Sequence, residues 1–310
     1  MDTWAVRTAE SPADYARVAE FYGRFEGPQA HAYCQRRLTF IRHRPEFTRY
    51  IEADGQVVSA LLLRHERWLL DGATLDAGLV ENVLTHPDYR RRGLFTALLN
   101  DSLALLRAEG YPLAAIHGDA ALYARFGFSP VRYQVEVTLP AERAAALPAA
   151  GRARPFAQAD LGDLAALYSA TYADLATAQE RTAGVWQWLL QELGDVVVLA
   201  EAAGQIAGYA RVEQRAVLHK LRVTEAAAAD GRTARTLLAI LGNRARREGL
   251  ETLYLPLSPE HPLARTALLA GGQVRLAGPT MPGSHWGHAD QARVLDLHAA
   301  LGALAPTLNR

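Results

Sequence analysis

The chain has one cysteine, Cys34, and one lysine, Lys220, in 310 residues. A single cysteine excludes an intrachain disulfide framework. An excess of one charge sign is also missing: 33 basic and 33 acidic residues balance to a formal net charge of zero. No global field therefore draws the protein to nucleic acid. The longest apolar runs, such as Val196–Ala200, are far too short to span a bilayer. The opening MDTWAVRTAE is polar and mixed, without the basic-then-apolar pattern of a leader. No Gly-x-x-x-x-Gly-Lys phosphate loop and no Gly-x-Ser-x-Gly elbow occur. We therefore expect a cytoplasmic protein with neither membrane nor nucleic-acid partner; homo-oligomerisation is left open. Half of the residues are hydrophobic, and the length accommodates two domains with substantial cores.

The most informative stretch is residues 79–99, LVENVLTHPDYRRRGLFTALL. Leu79–Thr85 is apolar and β-compatible, and Pro87-Asp88 marks a break. From Leu94 on, apolar residues recur at Phe95, Leu98, Leu99 and Leu106, a helical spacing. A helix N-terminus is thus expected at Arg92–Phe95, beside Arg90, Arg91 and Arg92, with Gly93 allowing close approach to the backbone. Free amides, the positive end of the helix dipole and guanidinium charge together form an anion site. A pyrophosphate is its natural occupant.

This pattern resembles motif A of the GNAT superfamily of acyl-CoA-dependent N-acetyltransferases, written Arg/Gln-x-x-Gly-x-Gly/Ala. Arg90 and Gly93 match it, and Phe95 stands where the motif has a small residue. A bulky residue at that place is similar to the Eis-type branch, the enhanced intracellular survival proteins. The resemblance implies an α/β (α+β) fold in which each unit is a mixed, largely antiparallel central sheet flanked by helices. It also implies acetyl-CoA as co-substrate and a small-molecule or peptide amine as acceptor. By the same resemblance, backbone groups of Val83, Leu84 and Thr85 pair with the pantetheine arm. Arg90, Arg91, Arg92, Gly93, Leu94, Phe95 and Thr96 hold the pyrophosphate, and Gly118 and Asp119 also contact the nucleotide.

The order read along residues 1–140 is a strand, two helices, several antiparallel strands, the motif strand and its helix, then strand, helix and a closing strand at Val131–Leu139. Residues 141–154, rich in Ala and Pro, read as a linker. Residues 155–310 repeat the order as a second GNAT-like unit with a C-terminal tail. Where the first unit has arginines and Gly93, the second has Glu225 and Asp230 before Gly231, acids that repel a pyrophosphate. The second unit is therefore expected to be degenerate for the nucleotide. Eis-type proteins continue into a sterol-carrier-like third domain, and in that branch the terminal carboxylate is thought to help catalysis; whether Arg310 reaches the site is not legible in sequence.

Acyl transfer to an amine needs a base for the ammonium proton (pKa ~10.4), a donor to the thioester carbonyl, and an acid for the departing thiolate. Leu122-Tyr-Ala-Arg-Phe-Gly-Phe128 matches the family segment whose tyrosine protonates the thiolate, which assigns that role to Tyr123. Glu81, on the motif strand, is the candidate base; a polar residue paired with an arginine is the equal alternative. Strict strand alternation would put Glu81, Val83 and Thr85 on one face, with Asn82 and Leu84 on the other. His86 and His117 are weaker candidates than ordinary loop or hydrogen-bonded histidines. His285, His288 and Asp290 lack a third strong ligand at a recognisable spacing, so no metal is expected. The reading is an acetyl-CoA-dependent N-acetyltransferase acting on a primary amine of a small molecule or a lysine side chain. The alternatives are a non-catalytic acyl-CoA-binding module, or a tandem acyltransferase with another donor or acceptor.

Overall fold

A computed structural model of the chain describes residues 4–40, 44, 47–70, 72–131, 134–172, 178–192, 195–200, 206–213, 219–277 and 289–308. The elements in chain order are β1 (Arg7–Thr8), α1 (Pro12–Glu26), α2 (Pro28–Phe40), β2 (Thr48–Ala53), β3 (Gln56–Leu70), β4 (Ala73–Thr85), α3 (Leu94–Ala108), β5 (Leu113–Gly118), α4 (Ala120–Ala124), β6 (Ser129–Pro130), β7 (Gln134–Pro140), α5 (Ala141–Ala145), β8 (Arg152–Pro155), α6 (Leu161–Tyr172), β9 (Ala178–Gln179), α7 (Ala183–Glu192), β10 (Asp195–Ala200), β11 (Ile206–Val212), β12 (Lys220–Ala228), α8 (Gly231–Arg247), β13 (Thr252–Leu255), α9 (Pro262–Leu269), β14 (Gln273–Ala277), β15 (Ala289–Val294) and α10 (Leu297–Leu308). They divide into two compact units. One comprises Met1–Val131, Gln179–Trp188 and His288–Arg310; the other comprises Arg132–Ala178 and Leu189–Gly287.

In the first unit the sheet runs β1-β2-β3-β4-β5-β15-β6. Strands β1 to β4 are antiparallel, and β5 is parallel to β4. Helix α1 begins where Ser11 and Asp14 cap each other's backbone amides, with Pro12 in the first turn. The β2–β3 hairpin turns through Asp54 and Gly55, both at positive φ. Strands β3 and β4 are both long. Regular pairing from Leu70↔Ala73 down to Leu62↔Glu81 makes them continuous. One face of the sheet packs Phe47, Val58, Leu61, Leu63, Val80 and Ile116 against the Leu94, Leu98, Leu99, Leu103 and Leu106 side of α3. The other packs Tyr50, Ala60 and Leu62 against Val18, Phe21 and Tyr22 of α1 and Cys34 of α2.

Two departures from the sequence reading concern connectivity. The strand expected at Val131–Leu139 to close the first sheet is β7, and it pairs with β13 in the second unit. Its place beside β5 is taken by β15, with Gly118 opposite Ala289 and Leu113 opposite Val294. Periodicity announces a strand but does not name its partner, because partner choice is a long-range packing decision. The stretch read as a linker also contains α5 and β8. Helix α5 packs on α8 at Gly242, where a Cβ would lie 2.6 Å from Ala144 Cβ and 2.5 Å from the Ala145 nitrogen.

The second unit's sheet runs β14-β7-β13-β12-β11-β10-β8. Its core joins Val137 and Leu139 of β7, Leu221 and Val223 of β12, and Leu253 and Leu255 of β13 to Leu237, Leu238 and Leu241 of α8. The order β10, β11, β12, α8, β13, α9 parallels β2, β3, β4, α3, β5, α4 of the first unit. Both units are therefore mixed sheets flanked by helices, as the sequence reading expects. No described helix is long and apolar enough to cross a membrane.

Candidate active site

The site is built where β4 and β5 part. Their parallel ladder runs from Ala77↔Leu113 to Val80↔Ile116 and stops there. Yet β4 continues to Thr85 and β5 to Gly118. Among the described residues, no strand pairs with the inner edge of β4 beyond Val80.

A bulge lies at the parting point. Leu62 pairs with Glu81 and Ala60 with Leu84, so Asn82 and Val83 oppose the single residue Leu61. Asn82 carries the extra turn at φ 50°. Strict alternation is broken as a result. Val80 and Val83 both pack on the α3 side, while Leu84 packs on the α1–α2 side and Asn82 Nδ2 reaches Cys34 Sγ at 3.9 Å. Glu81, paired with Leu62 of that second face, lies with Asn82 and not with Val83. Of the three residues expected along the pantetheine arm, Leu84 has its carbonyl turned to β3, where Ser59 Oγ donates to it at 3.1 Å. Alternation then turns Thr85 to the open edge. There Arg90 Nε donates to the Thr85 carbonyl at 3.3 Å.

The loop into α3 follows a single helical turn, Pro87–Tyr89, which His86 closes by accepting from the Asp88 amide at 3.1 Å. Phe25 and Tyr89 flank the His86 imidazole edge-on. This histidine is therefore a turn cap. Arg91 at φ 63° and Gly93 at φ 87° then bend the chain into the helix. No side chain caps α3, whereas α1, α4, α8 and α9 are capped by Ser11, Asp119, Asp230 and His261. The first-turn amides of Leu94, Phe95 and Thr96 have no intrahelical acceptors, and the side chains of Arg90, Arg91 and Arg92 are exposed around them. Trp4, which sequence reasoning missed, ties the loop down by donating from Nε1 to the Arg92 carbonyl at 2.9 Å. The bulky Phe95 is accommodated because its ring turns inward, edge-on to Phe126 at 5.3 Å and to Tyr123 at 6.1 Å. It leaves the loop backbone uncovered.

Tyr123 stands at the end of β5. Its side chain is 8 % exposed and in contact with Gly118. A Cβ at Gly118 would sit 3.3 Å from the tyrosine hydroxyl oxygen. The hydroxyl makes no hydrogen bond to any described residue. Burial, and then the charge of Asp119, push its pKa above the ordinary phenol value, so the group is a protonated donor throughout the neutral range. Asp119 itself caps α4, accepting from Ala121 at 2.8 Å and Leu122 at 3.3 Å. Glu81 has 13 % of its side chain exposed and lies 3.9 Å from Arg64 Nε. Gln291 of β15, also unforeseen, is fully buried and donates from Nε2 to the Gly118 carbonyl at 3.1 Å.

The corresponding places in the second unit are filled by the chain's own groups. Asp230 accepts from Thr233 N at 2.7 Å and caps α8. Glu225 is not in a loop, as the sequence suggested, but in β12; it is buried, accepting from Tyr209 at 2.7 Å and pairing with Arg211 at 3.1 Å. The Ala226 carbonyl, past the β12 bulge, receives His261 Nε2 at 2.8 Å and Tyr172 OH at 3.1 Å. Among the described residues no group of three potential metal ligands occurs. His285, His288 and Arg310 lie outside the described residues.

Residues 13–131 match the family model described as an acetyltransferase (GNAT) domain. A curated relative from Streptomyces griseus, named an uncharacterized N-acetyltransferase, is 31% identical over 83 residues, 26% of this chain and 20% of the relative. The chain thus matches only a fifth of that relative's length. Among solved structures, a GCN5-related N-acetyltransferase from Kribbella flavida superposes with a TM-score of 0.73 at 18% identity, over 97% of this chain and 74% of its own. Eis1 from Mycobacterium abscessus gives 0.62 at 19% identity, over 97% and 76%. A Saccharomyces cerevisiae N-myristoyltransferase with bound myristoyl-CoA gives 0.59 at 9% identity, over 82% and 73%. At such identities these structures establish the fold. The family match covers the parted strands, the uncapped helix and Tyr123 together, so residues 13–131 are similar to a GNAT acetyltransferase domain.

Proposed function

We propose that the protein is an acetyl-CoA-dependent N-acetyltransferase that acts on a primary amine and takes its nucleotide in the first unit alone. The observation that carries this reading is the unpaired stretch of β4 past Val80↔Ile116, leading directly into an uncapped, arginine-flanked helix N-terminus. An extended amide-bearing arm pairs with a bare strand edge as an added strand does, and a diphosphate binds at free helix amides. Val83 and Thr85 take the arm, with Leu84 between them. Arg90, Arg91, Arg92 and the amides of Gly93, Leu94, Phe95 and Thr96 take the diphosphate. Gly118 and Asp119 border the thioester end.

In the reaction the amine nitrogen attacks the thioester carbonyl, a C–N bond forms and the C–S bond breaks. Glu81, directly or through water, accepts the proton the nitrogen loses. A β4 amide donates to the carbonyl oxygen as negative charge gathers there; one such donor lowers the barrier by on the order of 3 kcal/mol. The Tyr123 hydroxyl, which donates to no acceptor among the described residues, gives its proton to the departing thiolate. The filled pseudo-site of the second unit, with Asp230 at the helix end and His261 and Tyr172 on the Ala226 carbonyl, supports a single nucleotide per chain.

Calorimetry with acetyl-CoA, followed by thiol release across a panel of polyamines, aminoglycosides and lysine peptides, tests the reading. One nucleotide bound per chain and amine-stimulated thiol release are expected. Binding without turnover on any amine would leave an acyl-CoA-binding module instead, and absence of binding would remove the reading altogether.

A further inference from the structure

We propose that Tyr22 of α1 is a positioning residue for acyl transfer: it aims the backbone amide of Val83 at the thioester carbonyl. This rests on the acyltransferase reading above. Tyr22 is fully buried, and its hydroxyl donates to the main-chain carbonyl of Asn82, sixty residues away in sequence. Asn82 is the left-handed residue of the β4 bulge. A peptide group is planar and trans, so its C=O and the following N–H point in opposite directions. Holding the Asn82 oxygen towards α1 therefore fixes the Val83 N–H away from α1. That peptide lies just beyond Val80↔Ile116, the last pair between β4 and β5.

The conformation needs holding. A non-glycine residue at positive φ is disfavoured, although asparagine tolerates it better than most. The described partners of Asn82 come from the two helices on that face: Tyr22 OH on its carbonyl, and Cys34 Sγ against its side-chain amide. Without the phenol, the half-buried carbonyl loses a donor and the peptide is free to rotate back towards regular pairing. The Val83 amide would then turn from the cleft. Rigid presentation of the donor, rather than its mere presence, is what lowers the barrier.

Three readouts on full-length protein test this. Wild-type binding of acetyl-CoA is measured first; if none is found, the acyltransferase reading fails and this inference with it. In Tyr22→Phe, which is isosteric, we expect kcat for the best amine to fall about 10-fold or more, with the Kd for acetyl-CoA within about twofold of wild type. The infrared carbonyl stretch of bound carbonyl-labelled acetyl-CoA should move back towards its position in free solution. The double variant Tyr22→Phe/Asn82→Gly should recover part of the lost rate, since glycine adopts positive φ without support. If Tyr22→Phe does not fold, Asn82→Val strains the same bulge from the strand side with Tyr22 intact, and the same shift is expected. A wild-type carbonyl frequency in either folded variant, with nucleotide bound, overturns the assignment.

Discussion

The Tyr123 ring lies against the α-carbon of Gly118: a Cβ built there would stand 2.6 Å from Tyr123 Cε2. Gly118 is also at φ 142°, where side chains are strained. The end of β5 and the proposed acid are thus fitted to each other. Gly118→Ala should push the phenol out of place and lower kcat at least about 10-fold, since small misplacements of a catalytic group are costly. Stability should fall by about 1–3 kcal/mol. Steady-state kinetics beside a urea melt will check both, and an unchanged kcat would detach Gly118 from the site.

Tyr123→Phe removes the proposed acid without removing the ring. The maximal rate should drop by about 10²-fold or more, while acetyl-CoA affinity stays near wild type. Burial and Asp119 raise the pKa of this phenol, so the protonated, active form persists above the usual value of 10.0. The wild-type kcat profile should show no alkaline loss from this group below that pH. Asp119→Asn removes the contribution of the nearby charge and should shift the alkaline limb downward. A pH–rate series settles the point.

Gly93 has open space around it and φ 87°. Gly93→Ala meets no neighbour, so its whole effect is conformational, about 1–2 kcal/mol for a left-handed alanine. If that strain is relieved by distorting the α3 N-terminus, the Kd for acetyl-CoA should rise about 10-fold. Calorimetry reads this directly; an unaltered Kd would show that the loop amides do not hold the nucleotide.

His261 is completely buried in the second unit, with its pKa lowered to about 4 chiefly by loss of solvation. The folded state therefore resists protonation that the unfolded chain accepts near 6.5. The stabilising difference is intact above about pH 6.5 and disappears as pH falls towards 4, a loss on the order of 3 kcal/mol. Urea melts of wild type and His261→Asn between pH 7.5 and 4.5 should converge on acidification. Parallel curves would show that His261 is not buried neutral.

Gly242 lets α8 touch α5, and an added methyl would collide with the Ala145 nitrogen at 2.5 Å and the Ala141 carbonyl at 2.8 Å. Those neighbours are backbone and cannot swing aside. Despite the better helix propensity of alanine, Gly242→Ala should destabilise the protein by about 2 kcal/mol or more. Differential scanning calorimetry will show whether the fall in Tm occurs.

Much of the site was legible in the residues because its signals are local. The passage from Thr85 through Gly93 to Leu99 occupies one short window. Tyr123 was singled out as a candidate through the segment around it. Trp4, Tyr22 and Gln291 were not legible. Each acts through a backbone carbonyl far along the chain, at Arg92, Asn82 and Gly118, and a carbonyl leaves no trace in side-chain pattern. Strict alternation through Glu81 failed for a related reason: the bulge answers to pairing with β3, not to the composition of β4.

By itself the sequence determined the mixed α/β class, the arginine- and glycine-bearing turn before α3 and the absence of that turn from the second half. Those depend on hydrophobic period, glycine and charge within a few residues. Only the tertiary structure decided that β7 joins the second sheet while β15 completes the first. It also decided that His261 and Tyr172 occupy the second unit's strand edge. Strand pairing and buried hydrogen bonds are chosen among distant partners by which arrangement leaves the fewest polar groups unsatisfied and the most apolar surface covered.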